Sequence, residues 1–525
     1  MTIVTEFEVG SRPTVRSEVG AVATSQPLAA QAAIELLDAG GSAADAAVGA
    51  AAVLNVVDPR STSIGGDAFA FCWFDDADAP TALSGTGTSS SGLSVHALRA
   101  AGFETMPVQG PWAITVPGAA SAWEALLARY GRLELEQVLT PAIRTAEQGF
   151  HVTPYIGLEW DRSQARLASD DAARATFLPG GRAPQVGERF ANPDLARTFR
   201  RLVAAGLGDI YHGEVAAAIG AAVQAAGGPL SAADLAEWRG AEWVEPLHRR
   251  YQDVDVYQLP PPGQGIVLLE ALALYDSMDA TTEADEDHAV AEALKLAFAD
   301  AFAYLADPDV SHVPTEALLS DEYIARRRLQ IDMSRASNQT AGNPSDTVFI
   351  AVADAEGGAC SLIQSLYHGF GSGICVPGAG MLLQNRGAGF RLDEEHPNAA
   401  APKKRPFHTI IPAMLARDGK FLGSFGVVGG YMQPQGQLQI LRNLFERGLD
   451  PQAAVDAPRL RVTDGCRLDC EPHYDASIVA DLEGRGHEVS TLERFDAGGA
   501  QLVLRTDDGF AAASDLRKDG CAIGR

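Results

Sequence analysis

Hydrophobic periodicity divides this 525-residue chain near Thr347. Helix-period segments dominate before it and runs of strand length after it, which points to packed layers of helix and sheet and not to an alternating dinucleotide-binding fold. Gln26-Pro27 opens a helix that passes through Leu28, Ile34 and Leu37 and stops at Gly40-Gly41; Ser42 then caps a second, with Asp45 at its third position. Both are rich in Ala, whose small side chain lets helices pack closely. Further helices are predicted over 119–130, 135–148, 193–205 and 213–228. The spacing of Val290, Leu294, Ala297, Phe298 and Ala301 predicts another over 288–305, with His288 as a helix-end residue and not a base. Strands are predicted over 68–73, 114–116, 347–353, 359–365, 380–383, 410–415 and 423–428. The turn Pro260-Pro261-Pro262-Gly263-Gln264-Gly265 leads into an apolar run over 266–274.

At 46% hydrophobic and 21% charged residues, the chain can bury a large core. No long low-complexity linker divides it, so one large multilayer unit fits as well as two or three domains. The net charge of −27 opposes nonspecific nucleic-acid binding and adhesion to an anionic membrane. The opening MTIVTEFEVGSRPTVRS has neither a basic start with an apolar core nor a stretch long enough to span a bilayer, so a cytoplasmic protein is expected. Cys72, Cys360, Cys375, Cys466, Cys470 and Cys521 lack paired metal-knuckle spacing; neither a metal nor a cofactor is expected.

The chemistry centres on Thr347. It opens the strand-like run Asp346-Thr347-Val348-Phe349-Ile350-Ala351-Val352-Ala353-Asp354, after the segment RASNQTAGNPSD (335–346), which reads as a solvated, flexible loop. Cleavage between Asp346 and Thr347 would place a new α-amine beside the Thr347 hydroxyl as its base. On local sequence alone an ordinary strand threonine is the simpler reading, since Thr favours strands. Gly429-Gly430, after a predicted strand, can turn two amides toward one point as an oxyanion hole, or can be only a turn. Gly369-Phe370-Gly371-Ser372-Gly373 reads as a mobile loop between strands. No phosphate loop, Gly-x-Ser-x-Gly elbow or HExxH occurs in a useful context.

Several of these segments together resemble the gamma-glutamyltransferase family of N-terminal nucleophile hydrolases. They are Ala23-Thr24-Ser25-Gln26-Pro27-Leu28-Ala29, the turn and helix from Gly40 to Ala47, Ser63-Ile64-Gly65-Gly66-Asp67, Val116-Pro117-Gly118, Pro260-Pro261-Pro262-Gly263 and the stretch from Ala291 to Asp300. Asp346-Thr347, Gly369-Phe370-Gly371-Ser372-Gly373, Lys404-Arg405-Pro406 and Gly429-Gly430 follow in family order. The resemblance implies an α+β fold, a four-layer αββα sandwich, made as a proenzyme. Self-cleavage would give a large subunit, 1–346, and a small subunit, 347–525, which stay associated as one structural unit; a dimer of such heterodimers is one assembly it allows. Thr347 becomes the nucleophile of both self-cleavage and catalysis, Gly429 and Gly430 the oxyanion hole, and Ser365 the second hydroxyl that hydrogen-bonds the nucleophile. The family's hydroxyl pair after Lys-Arg-Pro falls on His408 and Thr409, which makes both substrate-binding candidates; His408 can be a pocket donor or a titrating group, or simply a packed or solvated histidine.

The family's donor anchors are absent. Thr88 stands where an Arg grips the donor carboxylate, and Gly389 where an Asp receives the donor ammonium. Each anchor would be worth about 1.5–3 kcal/mol. Arg386 replaces a neutral polar residue and could hold an anionic or carbonyl group; Tyr431 follows the paired glycines and could narrow the pocket. These departures resemble a gamma-glutamyltransferase-like branch that includes acylases and small-amide hydrolases. The expected activity is hydrolysis of an amide of a small carboxylated substrate through an acyl-enzyme. Alternatives are hydrolysis of a carbon-carbon bond in natural-product biosynthesis by the same Thr, gamma-glutamyl transfer or glutathione hydrolysis, and a non-enzymatic binding relative.

Overall fold

The computed structural model describes residues 12–74, 77–339 and 346–525. Two seven-stranded antiparallel sheets stack face to face with helices covering both outer faces. The first sheet runs in the order Cys521–Gly524, Ala21–Thr24, Asp346–Ala353, Ala359–Tyr367, Asp67–Trp73, Thr81–Gly85, Glu242–Val244. The second runs Val15–Ser17, Gly509–Ser514, Gly499–Thr506, Lys420–Val428, Ala413–Arg417, Val254–Gln258, Leu247–Tyr251. Strands from before and after Thr347 are interleaved in both.

Side-chain alternation along the strand Asp346–Ala353 shows how the layers arise. Val348, Ile350 and Val352 face the helices Pro27–Asp38 and Ala43–Val57, while Phe349, Ala351 and Ala353 point into the layer between the sheets, with Phe71, Met414 and Val503. A third apolar layer joins the second sheet to the helices Gly265–Asp276, Glu283–Tyr304 and Met432–Phe445. This is the four-layer αββα sandwich. All fifteen residues of Ala43–Val57 are buried, which its Ala content permits. Ser42 and Asp45 form the expected capping box, and a Cβ on Gly49 would lie 2.1 Å from Leu36 Cδ1 of the neighbouring helix.

The helices over 119–130, 135–148 and 193–205 form with those bounds, and 213–228 contracts to Glu214–Ala225. His288 is not at a helix end: Thr282 and Asp285 make a capping box, so the helix begins at Glu283 and His288 lies within it, buried. The apolar run over 266–274 is a buried helix. Residues 114–116 make no strand: Val116 spends its N–H on Thr88 O (2.9 Å) outside either ladder. Residues 380–383 form only isolated bridges, because Gly378 and Gly380 turn the chain with positive φ. The strand expected from 410 starts at Ala413, since Ile411 gives its N–H to the Gln433 side chain and Pro412 has none to give. The loop over 369–373 is held, not loose: Arg166 Nη1 donates to Gly369 O and Gly371 O at 2.9 and 2.7 Å, and Phe370 N donates to Arg60 O at 2.7 Å. Residues 340–345 of the segment before Thr347, like residues 1–11, lie outside the described residues. Among the described residues no helix is long and apolar enough to cross a membrane.

The two sheets touch at Gly426, where an added Cβ would stand 2.5 Å from the Phe349 ring. Gly426→Ala should therefore lower stability by about 1–3 kcal/mol through overpacking, and Phe349→Leu in the same chain should recover part of it. Urea midpoints of the two variants check this; a Gly426→Ala midpoint equal to wild type removes the packing argument.

Candidate active site

A β-bulge places the nucleophile candidate. Asp346 pairs with Tyr367 and Val348 with Gln364, so Ser365 and Leu366 share the position opposite Thr347. The extra residue re-aims the Ser365 side chain toward the neighbouring strand. Tyr367, just beyond it, has φ 82°, an uncommon conformation for a residue with a Cβ. Ser365 Oγ accepts from Thr347 Oγ1 at 3.3 Å and from Tyr367 N at 2.8 Å, and donates to Asp346 O at 2.6 Å. One hydroxyl thus contacts both the Thr347 hydroxyl and the carbonyl of the peptide bond that precedes it. Thr347 itself is 4% exposed.

From the second sheet, the strand Lys420–Val428 ends in Gly429-Gly430, with φ 119° and 59°. Consecutive positive φ values are open to glycine without strain. The turn uses the two carbonyls to start the helix, accepting from Met432 N at 3.0 Å and Gln433 N at 3.1 Å; among the described residues neither glycine amide has a backbone partner. The helix then carries Gln433 to Thr347, its Nε2 donating to Oγ1 at 3.4 Å while its Oε1 accepts from Ile411 N at 2.8 Å. Gln264 Nε2 donates to Thr409 O (2.6 Å) and Gly430 O (2.9 Å), tying the paired glycines to the next part of the site.

That part is a fully buried guanidinium. Arg386 Nη1 donates to Thr409 Oγ1 at 2.8 Å, and its Cζ lies 4.1 Å from the Tyr367 ring centroid. Its Nε and Nη2 are buried with no hydrogen-bond partner among the described residues. Burial lowers its pKa to about 10, partly offset by Tyr367, Asp67 and Tyr431. Unspent donors on a buried cation are costly unless something accepts from them.

His408 packs against Phe69, ring centroids 4.5 Å apart, and is buried. Its Nδ1 accepts from Ile410 N (3.3 Å), so Nε2 carries the proton and donates to Asp67 Oδ2 at 3.0 Å. Burial and the Arg386 charge hold its pKa well below the usual histidine range, so the ring is neutral. Burial raises Asp67 to about 7 against the pull of Arg386, while Gln384, Gly87 and Gly118 donate to its other oxygen. His408 is therefore a neutral ring held in place by Phe69, Ile410 and Asp67.

Tyr431 and Tyr367 line a cavity of about 620 Å³ with Phe302, Gly389, Arg391 and Phe407. Thr88 is elsewhere, in a separate recess of about 410 Å³ with Ser84, Thr86, Lys403 and Arg405. The structure thus gathers Thr347, Ser365, Gly429, Gly430, Thr409 and Arg386, sets Tyr431 on the cavity wall and His408 beneath, and leaves Thr88 apart. Gln433, Gln264 and Asp67 also belong to the site, and sequence reasoning does not single them out. The four glutamines Gln433, Gln435, Gln437 and Gln439, spaced two apart at the start of one helix, are the available signal, and all four are buried. His288, Glu292 and His487 have metal-like spacing, but Lys295 Nζ already sits 2.8 Å from Glu292 Oε1.

The family model for gamma-glutamyltranspeptidase matches residues 29–525. The chain belongs to that family. It is 35% identical over 512 residues to the glutathione hydrolase-like YwrD proenzyme of Bacillus subtilis, covering 95% of this chain and 97% of the relative. It is 36% identical over 517 residues to the oxamate amidohydrolase proenzyme of Klebsiella pneumoniae, with the same shares of 95% and 97%. Among solved structures, the cephalosporin acylase from Bacillus halodurans superposes with a TM-score of 0.94 at 40% identity, over 100% of this chain and 99% of that one. These relatives are hydrolases and their names include proenzymes; this gamma-glutamyltranspeptidase family member is likewise an N-terminal nucleophile hydrolase.

Asp58 caps the buried helix two residues from Arg60, and burial raises its carboxyl to about 7 against the opposing Arg60 charge. A folded-state pKa above the unfolded 3.8 means that its contribution is complete at low pH and is lost as pH rises through about 7. The stability of wild type relative to Asp58→Asn should therefore fall between about pH 4 and pH 7. Urea midpoints of both proteins across that range test it, and parallel profiles would contradict it.

Proposed function

We propose that this protein cuts itself between Asp346 and Thr347 and then uses Thr347 to hydrolyse an amide of a small carboxylated substrate. The observation that carries the reading is the Ser365 hydroxyl shared between Thr347 Oγ1 (3.3 Å) and Asp346 O (2.6 Å). In self-cleavage, Thr347 Oγ1 attacks the Asp346 carbonyl carbon while Ser365 donates to the oxygen that gains charge. The carbon-nitrogen bond breaks, the hydroxyl proton ends on the Thr347 nitrogen, and an Asp346 ester remains. Water then cleaves the ester, giving the Asp346 carboxylate and restoring the Thr347 hydroxyl.

The freed α-amine of Thr347 now serves as general base. It takes the Oγ1 proton as the hydroxyl attacks the substrate carbonyl, and returns it to the departing amine. The Gly429 and Gly430 amides hold the oxyanion, Gln433 steadies Oγ1, and water releases the acyl group through the same steps in reverse order. Arg386 offers Nε and Nη2 to the substrate's carboxylate or adjoining carbonyl, and Tyr431 limits the size of what enters. The large subunit 1–346 and small subunit 347–525 remain one unit because their strands share both sheets. Glutathione and other gamma-glutamyl donors fit poorly, because Gly389 on the cavity wall offers no carboxylate to the donor ammonium.

Denaturing electrophoresis of the purified protein should show fragments of about two-thirds and one-third of the mass, while Thr347→Ala stays whole. A Thr347→Ala chain that still splits at this bond would rule out the mechanism. For turnover, oxamate and other small amides carrying a carboxylate should be hydrolysed in preference to gamma-glutamyl anilides, and Arg386→Met should raise KM for them by about 10–100-fold. Thr88→Arg alone should not confer gamma-glutamyl activity, because Thr88 lies in a separate recess; initial-rate assays showing that it does would bring that recess into the donor site.

A further inference from the structure

The peptide bond proposed for self-cleavage is gripped on its acyl side by groups that turnover of an external substrate does not require. We infer that Arg60 is the positioning residue for self-cleavage, holding the Asp346 side chain so that the Asp346 carbonyl carbon stays in front of the Thr347 hydroxyl. This rests on the reading of Thr347 as the nucleophile.

The grip is built, not incidental. Arg60 Nη1 forms an ion pair with Asp346 Oδ1, and the guanidinium is fixed by Glu159 Oε2 at 2.5 Å from Nη2 and by Tyr155 Oη at 2.8 Å from Nη1. Tyr155 is in turn held by Lys518 Nζ at 2.8 Å. Burial works against the Arg60 charge, but Asp346, Tyr155, Glu159 and Asp58 together more than offset it, so the cation persists. The Arg60 side chain is 12% exposed and that of Asp346 15%, so water competes weakly for the pair.

The main chain around Arg60 is joined to the bulge that carries Ser365. Arg60 O accepts from Phe370 N at 2.7 Å, and Ser61 O accepts from Leu366 N at 3.0 Å. The residue that holds the Asp346 side chain and the residue that donates to its carbonyl therefore stand on one frame. Gly369 leaves room for the contact: a Cβ there would lie 3.1 Å from Asp346 Oδ2 and 3.2 Å from Arg60 Nε.

The chemistry needs a second hold. A hydroxyl must approach a carbonyl carbon from above the peptide plane, and the single hydrogen bond from Ser365 fixes the oxygen while leaving the plane free to turn about it. An ionic anchor one side chain away removes that freedom, which is the pre-orientation that makes an intramolecular attack fast. Asp346 is not consumed by the step. Its side-chain carboxylate leaves as part of the large subunit's last residue.

The test is a time course of full-length chains on denaturing gels, following the 347–525 fragment. Arg60→Ala and Asp346→Asn should each slow its appearance on the order of 10–100-fold, and Arg60→Lys should retain more of the rate than Arg60→Ala. The double variant Arg60→Ala with Asp346→Asn should be no slower than the slower single, because both remove the same contact. Urea midpoints of the same changes in a Thr347→Ala background separate positioning from folding, since a merely structural role would slow cleavage only in step with lost stability. Wild-type cleavage rates in Arg60→Ala, or losses that multiply in the double variant, overturn the inference. If Arg60→Ala does not fold, Asp346→Asn decides alone, and its cleavage at the wild-type rate overturns the inference equally. Thr347→Ala run alongside separates the two levels: a chain that needs Thr347 but ignores Arg60 refutes only the positioning role, whereas one that splits without Thr347 refutes the reading beneath it.

Discussion

The hydroxyl of Ser365 is the contact on which the rest of the site depends. It exists in that place because one strand carries a residue more than its partner opposite Thr347, and that surplus residue turns a side chain toward the neighbouring strand. Everything around it keeps the distortion in place. Leu366 is tied to Ser61, Phe370 to Arg60, and Arg166 closes the glycine-rich turn that follows. Tyr367, forced to positive φ beside the bulge, supplies the face on which Arg386 lies. The positive φ of Tyr367, the buried Arg386 and the nucleophile candidate are therefore parts of one construction.

The two sheets contribute different things to it. The first supplies the Thr347 and Ser365 hydroxyls and the carbonyl of Asp346; the second delivers the paired glycines and Gln433 at the end of a strand that turns directly into a helix. Gln264 links Thr409 to Gly430, so a continuous series of hydrogen bonds runs from Arg386 through Thr409 and Gln264 to the glycine turn, and from Gln433 to Thr347. Such a series couples the position of the Arg386 guanidinium to the geometry at the Thr347 hydroxyl without any moving part.

Much of the sandwich was legible in the sequence because its signals are local. The Ser42 capping box and the strand-length apolar run after Thr347 each report on a few neighbouring residues. The errors arose where distant partners override local pattern. Apolar spacing marks the helix only from His288, whereas the Thr282 and Asp285 capping box starts it at Glu283. The stretch before Ala413 looked like strand, but its backbone groups are committed to a glutamine side chain from another layer. The bulge could not be seen at all, since an extra residue leaves a strand's composition unchanged. Family resemblance pointed to Thr347, Ser365 and the paired glycines as candidates, and the structure adds the low pKa of the buried His408 and the unspent donors of Arg386.

The interleaving of strands has a consequence for the life of the molecule after its backbone is cut. As a single chain it folds with its two parts tethered, so their encounter is independent of protein concentration. Once the bond is broken, an unfolded molecule would have to reassemble both sheets from two separate pieces, a second-order event that dilution slows without limit. The mature protein would then depend on how slowly it unfolds more than on how well it refolds. Its fold would be written once, at synthesis, and not readily rewritten.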